Sequence, residues 1–300
     1  MALKSKKGLF HLLYLMLISK DSDKIYDYFH DVWPELFALM PGKMDFFFLN
    51  FGLWLPNDTV APMQRMHMYI QEKTNIQPSD RILDIGSGYG GQNILCYNNH
   101  KPQEIVGLEI NKQLCDYCVQ NTKELGLSDK IRYIQGDAVK LPADIANNYF
   151  DKVFALHCIY HFSSRVAFFK EAHRCLKPNG SLIIVDNYLK RMPQDAIERK
   201  MVNFDKNFMK TPDPYYTEAR LFEELRVSGF KVTSSESIIQ NIFPPFFRFM
   251  CEKRKEIEAF RRKQGYPKFF INTCYKAMEW LKITTEQGLY ESAIVQANKE

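Results

Sequence analysis

A chain of 300 residues with 46% hydrophobic content can bury a large core, which excludes a disordered polypeptide and points to one sizeable α/β domain with a cap, or two small domains. The net charge of +5 is modest, and the densest basic runs, Lys253-Arg254-Lys255 and Arg261-Arg262-Lys263, alternate with Glu252, Glu256 and Glu258 at helical spacing. They read as a solvated helix face, so nucleic acid is not an expected partner. Seven scattered cysteines suit a reducing compartment and a cytoplasmic location.

Lys4, Lys6 and Lys7 precede an apolar run, Gly8 to Ile18, in the order of a secretory signal. That run is too short to span a bilayer, and no small-x-small cleavage pattern follows it before Asp21 and Asp23. A lid helix packed on the body is the first reading, weak membrane-surface contact through residues 8–18 the second, and a cleaved signal the last. From Ser22 to about Asn75 the chain is aromatic and helical in tendency, punctuated by Pro34, Pro41-Gly42 and Pro56-Asn57. Residues 1–75 are therefore expected to form an N-terminal helical lid over a domain spanning 76–300.

A regular alternation then begins. Strands are predicted at Ile82–Ile85, Glu104–Ile110, Ile131–Ile134, Phe150–Leu156 and Ser181–Val185, separated by helices at Asn93–Asn99, Lys112–Leu125 and from Ser163 or Ser164 to Leu176. Cys115-x-x-Cys118 falls inside the second helix and reads as packing; no metal site is expected. A helix from Thr217 to Ser228, a sixth strand at Lys231–Ile239, a long helical segment from about Phe246 to Leu281 and a last strand at Tyr290–Gln296 follow. The fold class is α/β: a seven-stranded Rossmann-like sheet, mostly parallel with the last strand antiparallel, helices on both faces, and cap insertions at 188–216 and 240–283.

The glycine turn between the first strand and first helix, Asp84-Ile85-Gly86-Ser87-Gly88-Tyr89-Gly90-Gly91-Gln92, satisfies two fingerprints. Gly86-x-Gly88-x-x-Gly91 fits a dinucleotide site, and Asp84-x-Gly86-x-Gly88-x-Gly90 fits a different cofactor. A dinucleotide site explains Glu109 as a ribose-hydroxyl acceptor but gives no role to Asp84 or Asp137. A cofactor without phosphates, carrying an amino-acid end, a ribose and an adenine, uses all three acids.

These residues resemble the class I S-adenosylmethionine-dependent methyltransferases. Arg81–Gln92 is similar to their first motif, Ile105–Asn111 to their second-strand motif and Gly136-Asp137-Ala138 to their adenine loop; Phe150–Phe162 and Leu176–Gly180 resemble the fourth- and fifth-strand signatures. Ile25-Tyr26-Asp27 and Leu49-Asn50-Phe51-Gly52-Leu53-Trp54 resemble N-terminal elements of the branch holding sterol, tocopherol, sugar and cyclopropane-forming enzymes, with Leu53 in place of a usual tyrosine.

The resemblance implies S-adenosyl-L-methionine as cofactor and Tyr26, Asp84, Gly86, Gly88, Gly90, Gln92, Glu109, Ile110, Asp137, Ala138 and Leu156 as its contacts. Gly86 and Gly88 would bring backbone N–H groups to the methionine carboxylate, Asp84 would face the amino group, Glu109 would accept both ribose hydroxyls and Asp137 the adenine amine, with the Ala138 N–H on a ring nitrogen. His161 matches a histidine position of that branch and His157 stands where many relatives carry glutamate, which makes this pair the candidates for a catalytic base.

The aromatics Phe46, Phe47, Phe48, Phe51 and Trp54 on one side, and Phe243, Phe246, Phe247 and Phe249 on the other, favour an apolar or aromatic small-molecule acceptor, a natural product or lipid-like compound methylated on O, N or C. Two alternatives remain at this point: a non-catalytic cofactor-binding partner or regulatory subunit, and an NAD-dependent oxidoreductase. A homo-oligomer is compatible with all three.

Overall fold

The computed structural model describes residues 39–300 apart from Leu49, Lys210, Tyr266 and Pro267. Tyr26 and the run 8–18 lie outside the described residues. Among those described, no helix is long and apolar enough to cross a membrane.

Seven strands form one sheet: β1 (Arg81–Ile85), β2 (Glu104–Glu109), β3 (Ile131–Gln135), β4 (Phe150–Leu156), β5 (Leu176–Leu189), β6 (Phe230–Ser237) and β7 (Tyr290–Lys299), in the order β3-β2-β1-β4-β5-β7-β6. The first five pair in parallel, and β7 runs antiparallel between β5 and β6. Strand order reverses at β1, where the chain leaves toward β2 and returns on the other side at β4. A crevice opens at the carboxyl ends of strands at such a switch point.

Period-two alternation sorts the strand residues onto two cores. Leu83, Val106, Val153, Ala155, Leu182 and Ile184 pack on one face against α4 (Arg165–Cys175) and α6 (Glu218–Val227). Ile82, Ile105, Phe154, Ile183 and Val185 face the other way, against α1 (Pro62–Lys73) and α2 (Gly91–His100). The same parity carries Asp84 and Glu109 onto this second face, so two acids separated by a full βα unit point to one side.

Met63, Met66 and Ile70 recur at helical spacing along α1 and bury on that face. Helix α3 (Lys112–Glu124) is capped by Asn111, whose side chain accepts the Leu114 N–H at 3.0 Å, and α4 is capped by Ser164. Both Cys115 and Cys118 are buried on α3, and the Cys118 thiol donates to the Gly88 carbonyl at 3.2 Å.

The segment 188–216 is less of an insertion than its composition suggests. β5 continues to Leu189 because Asn187, Tyr188 and Leu189 pair with β7, a partner distant in sequence, and α5 (Ala196–Met209) follows. The expected long helix after β6 is divided into α7 (Phe243–Glu252), α8 (Arg254–Gln264) and α9 (Lys268–Glu286). Pro244 and Pro245 sit in the first turn of α7, where no N–H is needed, and α8 stops at Gly265 in the left-handed region.

The two cap regions meet. The Trp54 N–H donates to the Asn241 carbonyl at 2.8 Å, and the Asn241 side-chain amide returns a bond to the Trp54 carbonyl at 3.2 Å. Around this clasp, Phe51 packs edge-on against Phe243 and Phe246, and Trp54 against Phe249.

Below the crevice, Arg165 and Asp186 are a buried ion pair at 3.1 Å, off hydrogen-bonding alignment, with the guanidinium stacked over Tyr216 at 3.6 Å. Removing one member leaves the other charge buried and unpaired. Arg165→Met should lower unfolding free energy by about 3–5 kcal/mol in urea titrations at neutral pH, with much of the loss recovered by adding Asp186→Asn. An unchanged midpoint would mean that the pair contributes nothing.

Candidate active site

The turn after β1 is built on left-handed backbone at Gly86 (φ 70°), Gly88 (φ 54°) and Gly90 (φ 72°). Gly91 opens α2 under a tighter constraint, since a Cβ there would lie 2.2 Å from the Phe47 carbonyl oxygen. The N-terminal segment therefore rests directly on the turn. The N–H groups of this loop are already engaged: Gly86 donates to the Leu108 carbonyl at 2.8 Å, Gly88 to Glu109 at 2.9 Å and Gly90 to the Ser87 carbonyl at 2.9 Å. The expectation that the Gly86 and Gly88 amides face a ligand carboxylate is not met in this arrangement. Their glycines serve the bend and close approach instead.

Asp84 is 2% exposed and accepts from the Gln92 side chain at 3.0 Å; the same Gln92 amide is aimed by the Ser87 carbonyl at 2.8 Å. Burial pushes its carboxyl up to about 7, above what the bonds from neutral side chains can offset. Glu109, also buried, holds the Gly88 N–H with one oxygen and the Asn111 N–H with the other, both at 2.9 Å. Ile110, next in sequence, is 45% exposed although apolar. Asp137 is exposed and accepts the Val139 N–H at 3.0 Å, so it also shapes its own turn, while Ala138 is buried. Leu156 ends β4 on the Asp84 side of the sheet.

His157 and His161 follow β4. His157 adopts a left-handed backbone (φ 56°), its N–H donates to the Val185 carbonyl at 2.8 Å, and neither ring nitrogen has a hydrogen-bond partner. Left-handed backbone at a non-glycine residue stores strain, which is tolerated where surroundings enforce it. Burial depresses the pKa of both rings to about 4, with Arg165 adding to the effect at His161. Both are neutral at pH 7 and able to accept a proton.

A third histidine escaped the sequence reading. His67 on α1 stacks on Phe48, its Nε2 faces the Asn50 amide nitrogen at 3.0 Å, and its Nδ1 has no partner. It shares a cavity of about 20 Å³ with Asp84, Gln92 and Leu156. A histidine four residues after Met63 on an apolar face was the only signal available.

Residues 83–184 match the family described as "Methyltransferase domain". The chain is 25% identical over 226 residues to erythromycin 3''-O-methyltransferase of Saccharopolyspora erythraea, covering 72% of each. Residues 83–184 are a methyltransferase domain of the class I S-adenosylmethionine-dependent kind. Its cofactor is S-adenosylmethionine. This methyltransferase is also 27% identical over 188 residues to the sterol 24-C-methyltransferase of Saccharomyces cerevisiae, covering 60% of this chain and about half, 47%, of the yeast enzyme. In fold it is similar to the cyclopropane synthase MmaA2 of Mycobacterium tuberculosis (TM-score 0.71, 16% identity, 93% of this chain and 99% of the other) and to the geranyl diphosphate C-methyltransferase of Streptomyces coelicolor (TM-score 0.67, 12% identity, 91% and 98%).

The raised pKa of Asp84 has a signed consequence for the methyltransferase. The folded protein keeps this proton up to about pH 7, whereas the unfolded chain releases it near 3.8, so the group makes stability fall as pH rises between those values. His67, His157 and His161, whose pKa values are lowered, act in the opposite sense. Asp84→Asn should therefore gain stability relative to wild type, by a few kcal/mol on the order of 1.4 per pKa unit, on going from pH 4 to pH 8 in urea titrations. A constant difference between the two proteins across that range would show that Asp84 titrates normally.

Proposed function

We propose that the chain transfers the methyl group of S-adenosylmethionine to a small acceptor with an apolar or aromatic body, a natural product or lipid-like compound. The observation that carries the site reading is the pair Asp84 and Glu109, two buried acids brought by strand parity to one side of the glycine turn. This donor set fits the cofactor. Asp84 is a desolvated carboxyl beside which an ammonium restores the ionised form, and Glu109 is an acceptor-only carboxylate of the kind that takes hydroxyl donors. Ile110 offers an exposed apolar face for an adenine, with Asp137 and Ala138 at its edge. Gln92 fixes the Asp84 carboxylate, Leu156 closes the sheet side, and Tyr26 belongs to the proposed cover.

When bound, S-adenosylmethionine supplies the electrophilic methyl carbon. The protein's own task is to align an acceptor, exclude water and, where the acceptor atom carries a proton, remove it. His161 is the proposed base, neutral at pH 7, and His157 beside it offers a second lone pair. Relatives acting on erythromycin and on sterols support a small-molecule acceptor. Contact of residues 8–18 with a membrane surface is a separate proposal, supported by Lys4, Lys6 and Lys7 ahead of an apolar run.

Calorimetric titration with S-adenosylmethionine and with NAD tests the cofactor reading, and labelled methyl transfer into a panel of lipid, phenolic, indolic and amine acceptors tests turnover. Binding without transfer into any acceptor would favour the non-catalytic alternative. Glu109→Ala should weaken S-adenosylmethionine binding by about 2–4 kcal/mol, the worth of one or two hydrogen bonds to a charged group. Equal affinity would remove Glu109 from the ribose role.

A further inference from the structure

A second cavity, of about 50 Å³, lies at the carboxyl ends of β4 and β5, bounded by Tyr160, Asn187, Asp205, Phe243 and Tyr290 among others. Tyr160 belongs to the short helical turn that follows His157, and Asn187 lies two residues beyond Val185, whose carbonyl accepts the His157 N–H. The cavity thus touches the helical turn that carries the proposed base, since the Tyr160 ring on its lining lies 4.4 Å from that of His161.

Its buried polar atoms without a hydrogen-bond partner are oxygens. Asp205, on α5, is 4% exposed, and neither of its oxygens has a hydrogen-bond partner; the Asn187 side-chain oxygen is buried and unpartnered too. The Tyr290 phenol is near enough to favour ionised Asp205, but not in hydrogen-bonding geometry with it. Lys206, exposed on the lining, makes no contact with the Asp205 carboxylate, and Arg165 is committed to Asp186. An orphaned buried carboxyl is destabilising unless something donates to it. Asp205 stands four residues after Met201 and three after Val202, both buried, so the helix turns it inward.

We propose that this cavity is a recognition subsite for a protonated amine on the acceptor, with Asp205 and the Asn187 side-chain oxygen as its hydrogen-bond acceptors and the surrounding rings as its walls. The inference rests on the small-molecule methyltransferase reading. Burial disfavours the charged form of the Asp205 carboxyl, and an ammonium beside it restores that charge as an alcohol would not, while aromatic faces add attraction for the cation. The space suits a small head group rather than a whole acceptor. A protonated nitrogen has no lone pair for attack on a methyl group, so this amine anchors the acceptor and a different atom is methylated. Asp205 is accordingly a positioning residue.

The test uses the full chain saturated with S-adenosylhomocysteine and two probes of equal shape, 2-phenylethylamine and 2-phenylethanol, titrated calorimetrically at pH 7. The wild-type protein should bind the amine at least about tenfold more tightly than the alcohol, the scale of one charge-assisted hydrogen bond. Asp205→Asn should erase that margin while leaving affinity for S-adenosylhomocysteine unchanged. Equal binding of the two probes by wild type, which needs no variant, would overturn the subsite, as would a margin that survives Asp205→Asn. Failure to bind S-adenosylhomocysteine, with the amine margin intact, would instead count against the proposed function and leave the amine site standing.

Discussion

Glu109 commits one carboxylate oxygen to the Gly88 N–H and the other to the Asn111 N–H, and the cofactor end of the sheet depends on those two bonds. The first holds the glycine turn against the end of β2. The second sets the residue that caps α3, because Asn111 passes its own side chain to the Leu114 N–H. One buried side chain thereby couples the ends of β1 and β2 and the helix that leaves them. A carboxylate can do this and still accept further bonds, since each oxygen has two acceptor sites. A neutral amide would have to turn a donor toward one of those N–H groups.

The opposite wall is held by contacts between regions far apart in sequence. The Trp54–Asn241 clasp closes the N-terminal segment on the turn that precedes α7, and the aromatic packing around it seals one face of the sheet. Phe47 lies on Gly91 from the same segment. The glycine turn and the aromatic face of the sheet are consequently covered by the same layer, so displacement of the cap would affect both. Residues that look like independent aromatic patches along the chain are one packed cover.

Desolvation is the common electrostatic theme. It raises the pKa of Asp84, Asp186 and Asp205 and lowers that of His67, His157 and His161. Among the described residues, only Asp186 of these three acids has an arginine beside it. Buried groups that fold without their natural countercharge cost stability, and such groups cluster where a ligand is meant to complete them. Asp84 and Asp205 are buried groups of this kind.

Much of the fold was legible in the sequence because its signals are local. Short apolar runs such as Ile82–Ile85 and Ile131–Ile134 between helical stretches marked the strands, the glycines marked the turn, and the spacing of Asp84, Glu109 and Asp137 against strand ends separated one class of cofactor from another. Other features had no local signature. β5 runs on to Leu189 because β7 lies beside it, the Gly86 and Gly88 amides point inward because Leu108 and Glu109 offer acceptors, and α7 to α9 are separate because Gly265 and the proline pair interrupt one apolar pattern. Asp205 and Asn187 are ordinary polar residues along the chain. What the sequence by itself determined was the sheet, the turn and the chemistry of the cofactor. The tertiary structure alone decided which polar atoms were left without partners, because burial and pairing are properties of neighbours in space rather than in sequence.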